Sequence, residues 1–160
     1  MIYELNSVAT ACLQIQSTMT FHDKDARLDA ACGMDRLHLL NTLAQMLVPH
    51  DRTLACNTAR DAYELSLELE PQLARDVVLH ARAAALFILE LSPEYTENAA
   101  GRAYQLLSEH PGTKSARVLL QAGQMFQRMC EYRHAMLCFH HADLMLGGQS
   151  TQQFGAPAHN

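Results

Sequence analysis

The side chains best able to do chemistry in this sequence are nine histidines and five cysteines. Their densest group is Cys130, His134, Cys138 and His141, spaced i, i+4, i+8 and i+11. At about 100° per residue, these four share an arc of about 80° on one helix. Thiolates and imidazoles bind Zn²⁺ or Cu⁺, but four ligands spread over about 16 Å of one helix cannot converge on a tetrahedral ion. We therefore predict no metal site and interpret the arc as half of a packing or binding face.

A second candidate is His22-Asp23 with Asp25, a pair of the kind found in metal-dependent phosphohydrolases. Such a site needs further His and Asp from other helices, so we interpret the stretch as a loop in which Asp23 or Asp25 caps the next helix. The sequence has no Gly-rich phosphate loop, G-x-S-x-G, H-E-x-x-H or C-x-x-C motif. We predict neither catalysis nor a cofactor.

Composition and charge indicate one domain inside the cell. The 160 residues are 49% hydrophobic, which is enough to form one core. The net charge is −5 and the basic residues are dispersed along the chain, which argues against nucleic acid as a partner. The longest apolar run, Ala83 to Leu89, is far short of the roughly 20 residues of a membrane span, and Glu4 does not suit a secretory signal. An odd number of cysteines without close pairs favours reduced thiols. We expect a cytoplasmic protein.

Apolar residues at three- and four-residue spacing predict helices throughout, and no stretch alternates as a strand would. Asp51 is the expected N-cap of the third helix, and Ser92-Pro93 are the expected N-cap and first residue of the fifth. We predict one domain over 1–148 and a flexible polar tail over 149–160. The seven expected helices are about 3–19, 25–48, 51–69, 71–91, 93–110, 113–129 and 131–146.

The last two predicted helices carry a recurring spacing, G-x2-F-x8-A-x3-F-x2-A. It is formed by Gly123, Phe126, Ala135, Phe139 and Ala142. Small residues at Gly123 and Ala135 would let the helices approach closely, while the two phenylalanines fill the wider gaps. This hairpin resembles the tetratricopeptide repeat.

Two earlier stretches resemble the same repeat less closely. One is Ala59, Tyr63, Ser66 and Pro71, and the other is Ala100, Tyr104 and Leu107. The resemblance covers about residues 40–146 and leaves the helices of 1–39 outside it. It implies an all-α fold of antiparallel helical hairpins, stacked as a short α-solenoid.

Tetratricopeptide arrays usually receive ligands on the concave surface made by the first helix of each pair. Carried over to this chain, the resemblance implies a cationic and apolar groove that suits an extended or amphipathic segment with acidic residues. The groove residues would be Arg82, Ala85, Leu89, Arg117, Leu120, Gln124, Gln127 and Arg128.

The last helix offers a second candidate surface, because no capping helix follows it in the sequence. It could meet another protein, a second copy of the chain, or the tail through Phe154. The alternative is an amphipathic end helix that packs on the N-terminal helices. The face would consist of His134, Leu137, Cys138, His141, Leu144 and Met145.

These features favour a protein–protein interaction module, a small chaperone or adaptor. Its length and architecture are similar to those of the tetratricopeptide chaperones of type III secretion systems, which would imply a client segment or a secretion-system subunit as the partner. An alternative is a structural subunit that forms homo-oligomers, the simplest being a homodimer. A third interpretation is a metal or ligand sensor that uses the His/Cys arc.

Overall fold

The computed structural model describes residues 26–95 and 98–154, and every regular element within these ranges is an α-helix. The predicted first helix, 3–19, and the His22–Asp25 loop lie outside the described residues. The six helices are α1 (Ala26–Leu47), α2 (Arg52–Leu69), α3 (Arg75–Leu89), α4 (Ala99–Glu109), α5 (Thr113–Arg128) and α6 (Tyr132–Phe154).

Helices that follow one another in the chain pack as hairpins, α1 with α2, α3 with α4, and α5 with α6. The first helices also pack in series, α1 on α3 and α3 on α5, while α2 packs on α3. This order confirms the all-α prediction of antiparallel hairpins stacked side by side. It also places α1, α3 and α5 along one side of the stack.

Helix α3 is the centre of the core because four helices surround it. Leu79, Leu86, Phe87 and Ile88 are almost completely buried, and Phe87 meets Phe126 of α5 edge to face at 6.1 Å. A helix that is apolar on all sides must be covered on all sides. Among the described residues, no helix combines the length and apolarity needed to cross a membrane.

The predicted starts of α2 and α5 are correct, whereas those of α3 and α4 are wrong. Pro71 lies in a turn, and α3 begins only at Arg75. Asp51 caps α2 by accepting a hydrogen bond from the Leu54 amide at 3.0 Å, and α5 begins after Gly112, whose φ of 152° suits glycine. Ser92-Pro93 does not begin a helix. Helix α4 starts six residues later, where Asn98 accepts a hydrogen bond from the Gly101 amide at 2.9 Å.

The predicted end of the last helix is also wrong, because α6 continues past Gly147-Gly148 to Phe154. Residues 149–154, which were expected to belong to a flexible tail, are therefore helical in the structure. Glycine costs a helix about 1 kcal/mol relative to alanine but keeps its backbone hydrogen bonds, so two glycines weaken a helix without ending it.

The α5–α6 hairpin has the close packing that its spacing predicts. Phe126, Ala135 and Ala142 are buried between the helices. A Cβ added at Gly123 would lie 2.7 Å from Cε1 of Phe139, so the ring occupies the space that a side chain would need. The close approach of α5 and α6 therefore requires glycine at this position.

Candidate protein-binding surfaces

A cleft of about 210 Å³ lies between the end of α1 and the exposed side of α5. Apolar side chains, glutamine amides and Arg128 share its wall. The lining residues are Gln45, Val48, Pro49, Gln121, Gln124, Met125, Arg128 and Met129. The cleft exists because α1 and α5 both pack on α3, which holds them apart.

A row of exposed polar and basic side chains runs along the side of α5 that borders this cleft. Arg117, Gln121, Gln124 and Arg128 are spaced i, i+4, i+7 and i+11, so they share one stripe of the helix. Neither arginine makes an ion pair with another described residue, and α5 contains no acidic residue. A chain of net charge −5 therefore exposes a locally cationic row.

All five predicted groove residues of α5 are exposed. Gln124 and Arg128 line the cleft, and Arg117 continues their row. Leu120 and Gln127 are also exposed but lie about 70–90° around the helix from the centre of that row. They border the row and do not line the cleft.

The predicted groove residues of α3 are placed wrongly by the sequence interpretation. Arg82, Ala85 and Leu89 are buried, so they cannot touch a partner. Arg82 points to the end of α2, where its guanidinium donates hydrogen bonds to the Ser66 hydroxyl and carbonyl and to Glu70. The continuous apolar run Ala83 to Leu89 already contained the signal, since a helix without a polar side has no open face.

The predicted face of α6 is only partly exposed. Cys138 is fully buried, and its Sγ lies 3.4 Å from the Tyr104 hydroxyl of α4. His134 is half-buried beside Glu90, with Nε2 and Oε1 3.5 Å apart, and His141 stacks on the Tyr104 ring. These three residues therefore hold α6 against α4 and the end of α3, whereas the alternative prediction placed the last helix on the N-terminal helices.

The other predicted residues on α6 remain near the surface. Leu137 and Leu144 are exposed, and Met145 is half-buried. Tyr132 and Met136, which the sequence interpretation missed, are also exposed, Tyr132 as much as Leu144 and Met136 more. Cys138 lies on the side of α6 that faces the fold. Once that side is known, helical periodicity identifies the exposed residues on the opposite side.

The buried thiol does not form an activated nucleophile. Burial raises the pKa of Cys138 to about 11 and raises the pKa of Tyr104 far above its usual range. Both groups therefore stay protonated at neutral pH. Cys130 lies in the turn before α6, and within the described ranges no three His, Cys, Asp or Glu side chains converge as metal ligands.

A second cleft, of about 320 Å³, lies between the start of α2 and the end of α3. Its wall carries three glutamates, Glu90, Glu94 and Glu131, and one arginine, Arg52. Glu131 lies 3.7 Å from Arg52, and Glu90 accepts a hydrogen bond from the Ala100 amide at 3.1 Å. Two of its charges thus already serve the packing of the fold.

The sequence interpretation missed the α1 side of the first cleft. Gln45, Val48 and Pro49 lie at the end of the helix that precedes the clear repeat pattern, and only the packing of α1 on α3 brings them opposite α5. Gln121 could have been found, since it completes the i, i+4, i+7 row between Arg117 and Gln124.

We compared the chain with known protein families, with curated proteins and with solved structures, and found no match.

Proposed function

We propose that this protein is a small adaptor or chaperone that holds a segment of another protein along α5, with one client side chain inserted in the cleft between α1 and α5. The observation that carries the proposal is the row Arg117, Gln121, Gln124 and Arg128, exposed and without acidic neighbours on its helix. A secretion-system subunit is one client class that the repeat resemblance suggests.

The cleft suits a side chain better than a small-molecule ligand. Its volume of about 210 Å³ is below the roughly 300–1,000 Å³ of ligand pockets. Val48, Pro49, Met125 and Met129 give it an apolar wall, and methionines adapt to side chains of different shape. A leucine, methionine or phenylalanine of the client would lose its contact with water there, which would oppose the client's self-association.

The polar groups around the cleft define the rest of the client segment. The amides of Gln45, Gln121 and Gln124 can donate to and accept from an extended backbone. Arg117 and Arg128 are separated by about 16 Å of rise along α5, and their guanidinium groups favour carboxylates on both sides of the anchor residue. The expected client segment therefore has an apolar residue flanked by Asp or Glu.

Affinity purification from the native host, followed by mass spectrometry, tests this function. We expect the wild type to capture a client and the double variant Arg117→Glu/Arg128→Glu to lose at least about 90% of it, with an unchanged helical circular dichroism signal. Arg60→Glu on α2 is the charge-matched control and should retain the client. Equal capture by the wild type and the double variant would refute binding along α5.

A photo-crosslinker placed at Gln124 locates the client segment directly. We expect the crosslinked client peptide to contain the apolar anchor with an acidic residue within about four positions, the spacing that reaches Arg128. A crosslink to a basic segment would contradict the proposed charge complementarity.

A further inference from the structure

The cleft between the start of α2 and the end of α3 contains a hydroxyl that the fold does not use. Ser92 lines this cleft and is only 9% exposed. Its amide donates to the Leu89 carbonyl at 3.0 Å and its carbonyl accepts from the Tyr95 amide at 3.3 Å, so both backbone groups are paired. Its hydroxyl makes no hydrogen bond to another described residue, and the oxygen is not completely enclosed. The hydroxyl is therefore available to a ligand in the cleft.

The wall of this cleft carries a negative charge that the fold does not balance. Its three carboxylates and the guanidinium of Arg52 sum to two formal negative charges. Arg52 and Glu131 lie 3.7 Å apart, and their side chains are 43% and 47% exposed, so their ion pair is weak. Glu94 is exposed and pairs with no other described residue. The wall therefore favours a ligand with two positive charges.

The other groups of the wall indicate what kind of cation fits. Leu91 and Pro93 offer apolar surface to a hydrocarbon chain, while Ser92 and Asn57 offer oxygen acceptors. An ammonium group has three donors and no acceptor, so it suits hydroxyl, amide and carboxylate oxygens. The volume of about 320 Å³ falls within the roughly 300–1,000 Å³ of small-ligand sites. Within the described ranges no three His, Cys, Asp or Glu side chains converge as metal ligands, so an organic cation fits better than a metal ion.

We propose that this cleft binds an alkyl polyamine, a flexible hydrocarbon chain with an ammonium group at each end. One ammonium group contacts the Glu94 carboxylate and the Ser92 hydroxyl. The methylene chain lies on the apolar part of the wall, and the second ammonium group takes the place of Arg52 beside Glu131. This cleft shares no lining residue with the cleft between α1 and α5, so the inference does not depend on the proposed client site.

Isothermal titration calorimetry of the full chain with three probes of similar length tests the ligand class. The probes are cadaverine with two ammonium groups, pentylamine with one, and pentanediol with none. At about 150 mM salt, which screens attraction to the net charge of −5, cadaverine should bind at least about tenfold more tightly than pentylamine. Pentanediol should not bind. Equal affinities for cadaverine and pentylamine, or no binding of cadaverine, would overturn the inference.

Substitutions in the wall test the position of the first ammonium group. Glu94→Gln and Ser92→Ala should each weaken cadaverine binding at least about fivefold, since each removes one oxygen that contacts the charge. Glu68→Gln changes an exposed carboxylate near the other end of α2 and is the matched control, with no expected effect. Thermal melts show whether each variant is folded. Cadaverine binding that is unchanged by Glu94→Gln would overturn the site.

Removal of Arg52 tests the position of the second ammonium group. Arg52→Gln should strengthen cadaverine binding at least about threefold, because the ligand no longer competes with the guanidinium for Glu131. Lys114→Gln removes the same charge from the exposed start of α5 and should leave the affinity unchanged. Equal effects of the two substitutions would overturn the proposed contact with Glu131.

Two competitors with the same charge as cadaverine distinguish other sources of a cation. Mg²⁺ should not displace cadaverine at equal concentration, because it lacks the hydrocarbon chain and finds no set of three ligands among the described residues. Displacement by Mg²⁺ would overturn the polyamine inference and leave charge alone as the cause. An acetylated dilysine amide that binds at least about tenfold more tightly than cadaverine would also overturn it and assign the cleft to a basic protein segment.

Discussion

The buried guanidinium of Arg82 donates a hydrogen bond to the carboxylate of Glu70 at 3.1 Å, and this pair connects α3 to the end of α2. Arg82 is 6% exposed and also donates to the hydroxyl and the carbonyl of Ser66, each at 3.0 Å. Glu70 in turn accepts a hydrogen bond from Arg75. A charge in the core of the stack is therefore balanced by a carboxylate at its edge.

Glu70→Gln should lower the free energy of unfolding by about 1–3 kcal/mol at pH 7, because it leaves the Arg82 charge buried without a counterion. Urea denaturation measures the change. Glu109→Gln is the control, since Glu109 pairs with the exposed Arg75 and its loss should cost less than about 0.5 kcal/mol. Equal losses in the free energy of unfolding would mean that the burial of Arg82 does not increase the cost of removing its counterion.

The contribution of Glu70 to stability should depend on pH. Its hydrogen bond with Arg82 holds the pKa of the carboxyl below its usual range, so the folded state binds the proton less tightly than the unfolded state. The contribution is present above the unfolded pKa of about 4.3 and is lost as the pH falls through the lower folded pKa. The difference between wild type and Glu70→Gln should therefore shrink from pH 6 to pH 3. A difference in the free energy of unfolding that stays constant between pH 6 and pH 3 would contradict this coupling between protonation of Glu70 and folding.

Cys130→Gly should stabilise the protein by about 0.5–1 kcal/mol, because Cys130 has a positive φ of 61° that glycine adopts at lower cost. The turn is a helix C-cap of the kind that usually carries glycine there, with the Glu131 amide donating to the Phe126 carbonyl at 2.8 Å. Thermal melts measure the gain. Cys130→Ala keeps the unfavourable φ and should change stability little; a gain as large as that of glycine would assign the effect to the lost thiol.

Two glycine-to-alanine substitutions should act in opposite directions. Gly123→Ala should destabilise by about 1–3 kcal/mol, since the new methyl group would overlap the Phe139 ring. Gly147→Ala should stabilise by up to about 1 kcal/mol, since nothing lies within 4 Å of the added Cβ and alanine favours the helix. Denaturant midpoints test both. A stabilising Gly123→Ala would show that the α5–α6 approach is looser than described.

The described cysteines should differ widely in reactivity. Cys130 is exposed, whereas Cys138 is fully buried and its pKa is raised to about 11 by burial. At pH 8 we expect N-ethylmaleimide to modify Cys130 within minutes and Cys138 only after urea is added, as measured by peptide mass spectrometry. Rapid labelling of Cys138 in the native protein would indicate that α6 detaches from Tyr104.

The sequence by itself determined the helices, several of their ends and the close α5–α6 hairpin. These features depend on local rules: apolar spacing, the Asp51 cap, and a glycine opposite an aromatic ring. Local rules failed at Ser92-Pro93 and at Gly147-Gly148, where plausible start and stop residues were overridden by their surroundings. A capping residue or a glycine changes the free energy of forming a helix end by only about 1 kcal/mol. The packing of neighbouring helices contributes more than that and therefore decides where the helix ends.

The exposed and buried sides of each helix were decided by the tertiary structure. Arg82 and Arg128 are both arginines on first helices of a pair, yet one is buried against Glu70 and the other borders the cleft. The difference arises because α3 has helices on all sides while α5 has an open side. The rotation of α6, set by Cys138 against Tyr104, likewise exposes Met136 and not the predicted histidines. Burial depends on which neighbours a helix has, and that information is not local to its sequence.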